Sequence, residues 1–258
     1  MELNLTANLF VVCGTSSGFG LSVSKALLNE GAKVIGISRS DNGLHELKNN
    51  FRESFMHLKA DLQKEETIEE VLELVGSSRL DGIFINAGGP PPLTFEETSL
   101  DHWDASYSLV LRWKIAMVKA LLPKFKAQRY GRIVALESVS AKQPVENLVL
   151  SNSFRLAMVG AMKTLSQEVA SYGITINVLG PGYHDTDALK RLFKKRAQKK
   201  NISEEEARKS FESEVPVGRL GDPDELASMA VWLLSPVSGF VTGQTIDIDG
   251  GINRFVFG

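Results

Sequence analysis

The sequence predicts an α/β fold: a doubly wound parallel sheet of about seven strands with helices on both faces. Three observations predict it. Short, β-branched apolar runs recur along the chain, and their continuous rather than alternating character marks strands buried on both faces. A longer stretch with helical spacing follows most of these runs, as βαβ units with right-handed crossovers require. Finally, 258 residues with 43% hydrophobic and 23% charged content suffice for one open sheet with a core that needs neither metal nor disulfide.

The predicted strands are Leu9–Cys13, Lys33–Ser38, Phe55–Ala60, Gly82–Asn86, Arg132–Ser138, Ile174–Leu179 and Thr245–Asp249. A helix is expected over Ser153–Ser171, with an apolar stripe of Leu156, Val159, Gly160, Leu165 and Val169, interrupted by Lys163. Another opens at Asp222-Pro223-Asp224-Glu225, with Asp as N-cap, Pro at the first helical position and Glu three residues after the cap. No repeat, linker or composition break divides the chain, so residues 1–258 read as one domain. The stretch 186–215 is longer than an ordinary crossover. It is basic early (Lys190, Arg191, Lys194, Lys195, Arg196, Lys199, Lys200) and acidic later (Glu204, Glu205, Glu206). It reads as a solvated helical pair or as a lid whose charge attracts an anionic substrate.

Composition excludes several classes. A net charge of -2 gives no reason to expect nucleic acid. The single cysteine, Cys13, rules out an internal disulfide and fits a reducing compartment. No run approaches the roughly 20 apolar residues of a membrane helix. The start of the chain lacks the basic region of a signal peptide. A cytoplasmic protein acting on a small molecule, with no membrane partner and no metal, is the expectation.

Directly after the first strand comes Gly14-Thr15-Ser16-Ser17-Gly18-Phe19-Gly20, followed by helix-forming sequence. Such glycines permit a tight turn and let backbone N–H groups approach a pyrophosphate at a helix N-terminus. A glycine cluster alone also occurs in plain strand–helix turns. Here, however, Asn86-Ala87-Gly88, Gly131-Arg132-Ile133-Val134 leading to Ser138, Pro181-Gly182 and Asp249-Gly250-Gly251 follow in order. Together these motifs resemble the short-chain dehydrogenase/reductase family, most closely its 3-oxoacyl-acyl-carrier-protein reductase branch, across nearly the whole chain. The resemblance implies a Rossmann-type sheet and a nicotinamide dinucleotide. It implies that Gly14, Ser16, Ser17, Gly18, Phe19 and Gly20 form the pyrophosphate site and that Asp61 accepts from adenine. Asn86, Ala87 and Gly88 would pass beneath a ribose, and Pro181, Gly182 and Thr186 would border the nicotinamide.

At the end of the second strand, NAD use calls for an acid and NADP use for a cation. The sequence has Ser38-Arg39-Ser40, so NADP(H) is expected over NAD(H), with Arg39 and two hydroxyls at the 2′-phosphate. The catalytic positions depart from the family. Ser138 matches the family's serine, but Ser151 stands where its tyrosine belongs, Arg155 where its lysine belongs and Val110 where its asparagine belongs. The neighbouring residues align without a gap, so these are replacements. Serine cannot act as the tyrosine does, and arginine keeps the charge and a ribose contact without moving protons. Tyr183, His184 and Lys142 are candidate substitutes, with pocket-lining or solvated roles as the plainer readings; Gly89-Pro90-Pro91-Pro92 reads as a pocket wall. Two functions stay open: an NADP-dependent oxidoreductase acting on a carbonyl or alcohol, and a dinucleotide-binding sensor or scaffold without turnover. A homodimer or homotetramer is expected through the long helices at Asp101–Gln128 and Asn152–Tyr172, because Leu109, Val110, Trp113, Met117, Met158, Met162 and Leu165 exceed what one core face needs.

Overall fold

The computed structural model describes residues 1–256. Seven parallel strands form one sheet in the order β3-β2-β1-β4-β5-β6-β7. They are β1 (Leu9–Cys13), β2 (Lys33–Ser38), β3 (Phe55–Lys59), β4 (Gly82–Ile85), β5 (Gly131–Leu136), β6 (Ile174–Pro181) and β7 (Thr245–Ile248). All seven expected strands form, β1 and β2 at the expected bounds and the other five with one or both ends shifted by one or two residues. β5 stops before Ser138, whose hydroxyl accepts the Ser140 N–H at 3.1 Å and starts a short 3₁₀ turn. β6 runs on to Pro181 because β7 pairs alongside it, Pro181 facing Ile248.

The helices are α1 (Gly18–Asn29), α2 (His45–Asn50), α3 (Glu65–Val75), α4 (Leu100–Tyr107), α5 (Trp113–Gln128), α6 (Val149–Val169), α7 (Asp187–Lys200), α8 (Glu204–Glu214) and α9 (Pro223–Leu234). One core lies between the sheet and α3, α5 and α6; it includes Val11, Ile83, Ile133, Val71, Met117 and Met158. The other lies against α1 and α9, with Phe10, Val12, Leu27, Val134, Leu226 and Ala230. Asp222 caps α9 through the Asp224 N–H at 2.9 Å, and Glu225 reaches back to the Asp222 N–H, as its sequence predicts. Residues 186–215 form the helical pair α7–α8 with a small core of Leu189, Phe193, Ala197, Ala207 and Phe211.

Two expectations need correction. The inward face of α6 matches the predicted stripe only in part: Val169 is buried and Val159 and Leu165 pack against the core, but Leu150, Ser151, Arg155, Met158, Met162 and Ser166 make up most of the buried face, while Leu156 is 55% exposed. Polar residues on the buried face had disguised it. Val110, Trp113, Met117, Met158 and Met162 are likewise buried within this one chain, so their number says nothing about assembly. Among the described residues no helix is long and apolar enough to cross a membrane.

Chain order reverses between β1 and β4, which adjoin in the sheet although β2 and β3 intervene in sequence. The ends of two such strands leave a crevice in open α/β sheets, and ligands bind there.

Candidate cofactor and reaction site

Three loops meet at that crevice. Gly14 follows β1 with φ +75°, and a Cβ there would lie 2.7 Å from Asn86 Nδ2. At Gly20 a Cβ would come within 2.2 Å of the Gly14 carbonyl oxygen, so the first turn of α1 folds back on the loop at a distance only glycine permits. Ser17, the N-cap of α1, makes no side-chain capping bond, and the first turn carries no acid. A helix start of this kind has N–H groups to offer an anion. From the loop after β6, Thr186 comes within 3.5 Å of where a Cβ on Gly18 would lie, and His184 stacks edge-on against Phe19 at 5.0 Å. The structure therefore brings Gly14, Gly18, Phe19, Gly20, Asn86 and Thr186 together, with Ser16 and Ser17 in the same loop, Ala87 and Gly88 following Asn86, and Pro181 and Gly182 leading into the third loop. A cradle that any side chain would fill, set at an uncapped helix start, fits a pyrophosphate.

At the far end of the crevice, Ser38 is buried at the tip of β2. Its hydroxyl donates to the Ser40 carbonyl at 2.6 Å, so the contact with His57 Nε2 at 2.9 Å has the imidazole donating. The Ser38 hydroxyl is thus committed inside the protein, which corrects the expectation that it stands ready for a phosphate. Arg39 is exposed beside it. Lys59 pairs in register with Ser38 from the neighbouring strand. Burial holds the His57 pKa below its ordinary value, Lys48 and Lys59 push the same way, and Asp41 opposes them. The sequence reading missed His57 and Lys59; their places on the strand beside Ser38 were the available signal. Asp61, two residues beyond β3, accepts the Gln63 N–H at 3.1 Å.

The side of the crevice formed by the end of β5 and the start of α6 holds a buried ionic network. Arg155 Nε donates to Ser151 Oγ at 3.0 Å; Arg155 Nη1 donates to the Glu137 carbonyl at 2.7 Å and lies 3.3 Å from Glu137 Oε2. On its other side the Glu137 carboxylate meets Lys114 Nζ at 2.5 Å, and both side chains are fully buried. Burial drives the Lys114 pKa down, Glu137 pulls it back up, and Arg155 adds to the lowering. Ser138 is half-buried nearby, and no hydrogen bond joins it to Ser151 or Arg155 among the described residues. Val110 sits fully buried in a π-helical turn, Ser108–Arg112, between α4 and α5. Such turns are common at functional sites. The Trp113 indole donates to the Leu109 carbonyl there at 2.8 Å.

Glu137 and Lys114 were not among the expected site residues, though both were legible. Glu137 closes an apolar strand, and Lys114 falls on the buried stripe of α5 with Met117, Val118, Leu121 and Phe125. Charges at such places are almost never buried unless paired.

The candidate substitutes are otherwise engaged. Tyr183 stacks on Phe211 at 4.9 Å, and burial, aided by Glu214, pushes its pKa up to about 12. His184 is buried against Gly221 and Phe19, with Nδ1 3.3 Å from the Gly182 carbonyl, and burial lowers its pKa. Lys142 donates to the Thr245 carbonyl at 2.7 Å and pairs with Asp247 at 3.3 Å, tied to β7. Cys13 is buried, with its thiol pushed up to about 12 by desolvation. In the loop after β4, Gly89 faces Arg155 Nη2, which would lie 3.6 Å from a Cβ there. No group of three or more His, Cys, Asp or Glu that could hold a metal occurs among the described residues.

A nucleotide cradle at the switch point of a parallel sheet defines a dinucleotide-binding protein, and comparison with known proteins narrows the class. The family model described as Enoyl-(Acyl carrier protein) reductase matches residues 14–253. The 3-oxoacyl-acyl-carrier-protein reductase of Vibrio harveyi is 30% identical over 252 residues, 97% of this chain and 99% of that protein. The NADPH-dependent reductase BacG of Bacillus subtilis is 26% identical over 93% of this chain and 95% of its own length. Among solved structures, L-sorbose reductase from Gluconobacter frateurii, crystallised with NADPH and L-sorbose, is 27% identical with a TM-score of 0.92, covering 99% of this chain and all of that one. The chain belongs to the short-chain dehydrogenase/reductase family of oxidoreductases.

Proposed function

We propose that this protein is an NADP(H)-dependent oxidoreductase that interconverts a carbonyl and an alcohol, with the family's tyrosine and lysine replaced by Ser151 and Arg155. The observation that carries the reading is the cradle of Gly14, Gly20 and Asn86 at the uncapped start of α1, beside a β2 end that holds Ser38 and Arg39 in place of an acid. Gly14, Ser16, Ser17, Gly18, Phe19 and Gly20 hold the pyrophosphate; Arg39, with Lys59 behind it, takes the 2′-phosphate, and Asp61 takes adenine. Asn86, Ala87 and Gly88 support a ribose, Pro181, Gly182 and Thr186 border the nicotinamide, and Arg155 binds its ribose. When bound, the cofactor supplies or accepts hydride. Ser138 orients the substrate oxygen. The buried guanidinium of Arg155 stabilises negative charge without donating its proton.

The helical pair α7–α8 acts as a lid over 186–215. The whole 1–258 chain works as one domain, in the cytoplasm, as a homodimer or homotetramer. The exposed Phe95, Leu100, Tyr107 and Leu156 on and around α4 and α6 support that assembly.

Fluorescence titration tests the reading. NADPH should bind more tightly than NADH, and Arg39→Ala should remove most of the difference, about 1.5–3 kcal/mol for charge-assisted contacts. Equal affinity for the two in the unaltered protein overturns the NADP assignment. A second reading, a dinucleotide-binding sensor without turnover, is favoured by one observation: the Ser151 hydroxyl is engaged by Arg155. NADPH binding without oxidation across ketones, aldehydes and acyl thioesters would select it.

A further inference from the structure

Arg155 has five N–H groups. One goes to Ser151 and two, on Nη1, to the Glu137 carbonyl and carboxylate. The two on Nη2 have no protein acceptor among the described residues, and they lie against Gly89, a position with no side chain. Gly88, one residue earlier, also has open space where a Cβ would be. A guanidinium nine-tenths buried thus keeps one edge free toward the loop after β4.

A carboxylate that only fixed Arg155 would also cancel its charge. Lys114 prevents this. Lys114 Nζ and Glu137 Oε1 lie 2.5 Å apart, and the two side chains together carry no net charge whichever of them holds the proton. Lys114, Glu137 and Arg155 together therefore keep one net positive charge in a poorly solvated place, and no acid other than Glu137 bonds to Arg155 among the described residues. A buried cation without a counter-charge is costly unless something anionic joins it.

We propose that Glu137 and Lys114 are a positioning pair that fixes Arg155 without neutralising it, and that the free Nη2 edge beside Gly89 binds a carboxylate of the substrate, which makes the substrate an oxo acid or hydroxy acid. This rests on the oxidoreductase reading above and names its substrate class. Nη2 has two diverging N–H groups: one serves the ribose, and the other makes the single charge-assisted bond that sets the acid group beside the reacting carbonyl. A neutral ketone gains only the weaker bond of a carbonyl oxygen to a guanidinium from this contact.

Calorimetry on the NADPH-loaded protein tests the proposal with two probes of one shape, oxamate, which is anionic, and oxamide, which is neutral. Oxamate should bind about ten- to a hundredfold more tightly, the worth of a charge-assisted hydrogen bond. Gly89→Val, on an exposed loop, should block oxamate by covering Nη2. Lys114→Met should weaken oxamate by letting Glu137 neutralise Arg155. Glu137→Gln separates position from charge. It raises the net charge yet removes the ion pair that holds the guanidinium, so oxamate weakens if position matters and tightens if only charge does. Equal binding of oxamate and oxamide to the unaltered protein overturns the proposal without any variant, and so does unchanged oxamate binding in Gly89→Val. Failure of the protein to bind NADPH at all would instead refute the oxidoreductase reading.

Discussion

The two ends of the crevice are built by different rules. The pyrophosphate end is made of backbone: Gly14, Gly18 and Gly20 act through what they lack, and the turn closes on Asn86 with no charged side chain inside. The reacting end is made of side chains, with Lys114, Glu137, Arg155 and Ser151 linked by bonds of 2.5–3.3 Å in the core. The first is fixed by sterics and tolerates no added atom. The second is fixed by charge balance and tolerates volume better than loss of a partner. A backbone site keeps its sequence pattern through divergence because only glycine satisfies it, whereas a side-chain site can be rebuilt with other residues.

The difference can be broken from the steric side first. Gly20→Val should abolish NADPH binding and destabilise the fold by at least about 1–3 kcal/mol, the ordinary cost of overpacking, because its Cβ meets the Gly14 carbonyl at 2.2 Å. Fluorescence titration and urea unfolding would show it. A variant that binds NADPH normally would mean the loop is free to open. From the charge side, Glu137→Ala leaves Lys114 and Arg155 buried without their anion and should cost about 3–5 kcal/mol. The volume-matched pair Lys114→Met/Glu137→Leu should recover the part of that loss that comes from Lys114 in urea unfolding, and adding Arg155→Met should recover the rest. If the double variant is no more stable than Glu137→Ala, charge balance is not what holds this end.

A third change asks whether the reacting end is decayed or rebuilt. Restoring the family's residues in Ser151→Tyr/Arg155→Lys/Val110→Asn should add no ketone reduction, since Glu137 and Lys114 would still surround residues they no longer fit. Activity gained with generic ketones, assayed by NADPH oxidation in a folded variant, would show decay instead. The smallest effect concerns acid. Burial lowers the His184 and His57 pKa values in the folded state below the ordinary 6.5. Below that value the unfolded chain takes up protons that the folded one resists, so stability is complete above about 6.5 and falls as pH drops through it. His184→Phe should flatten part of this slope in pH-dependent thermal melts. An unchanged slope would mean His184 does not contribute.

Alternation of apolar runs with helical stretches sufficed to read the sheet, because every central strand is buried on both faces and carries no competing pattern. The glycine spacing, Asn86-Ala87-Gly88 and the capping residues of α9 were legible for the same reason: each answers a local backbone demand that few residue types meet. The inward face of α6 was only partly legible because Ser151, Arg155 and Ser166 share it with Val169, and a polar residue on a helix declares its face only when its partner is known.

By itself, then, the sequence determined the strands, the glycine spacing of the cradle and the resemblance that singled out Ser138, Ser151, Arg155 and Val110. Only the tertiary structure decided what those replacements join. Lys114 and Glu137 lie 23 residues apart in the chain, and Glu137 and Arg155 lie 18 apart. No local spacing relates them. Their meeting depends on α5, β5 and α6 packing face to face, where burial turns three separate charges into one network.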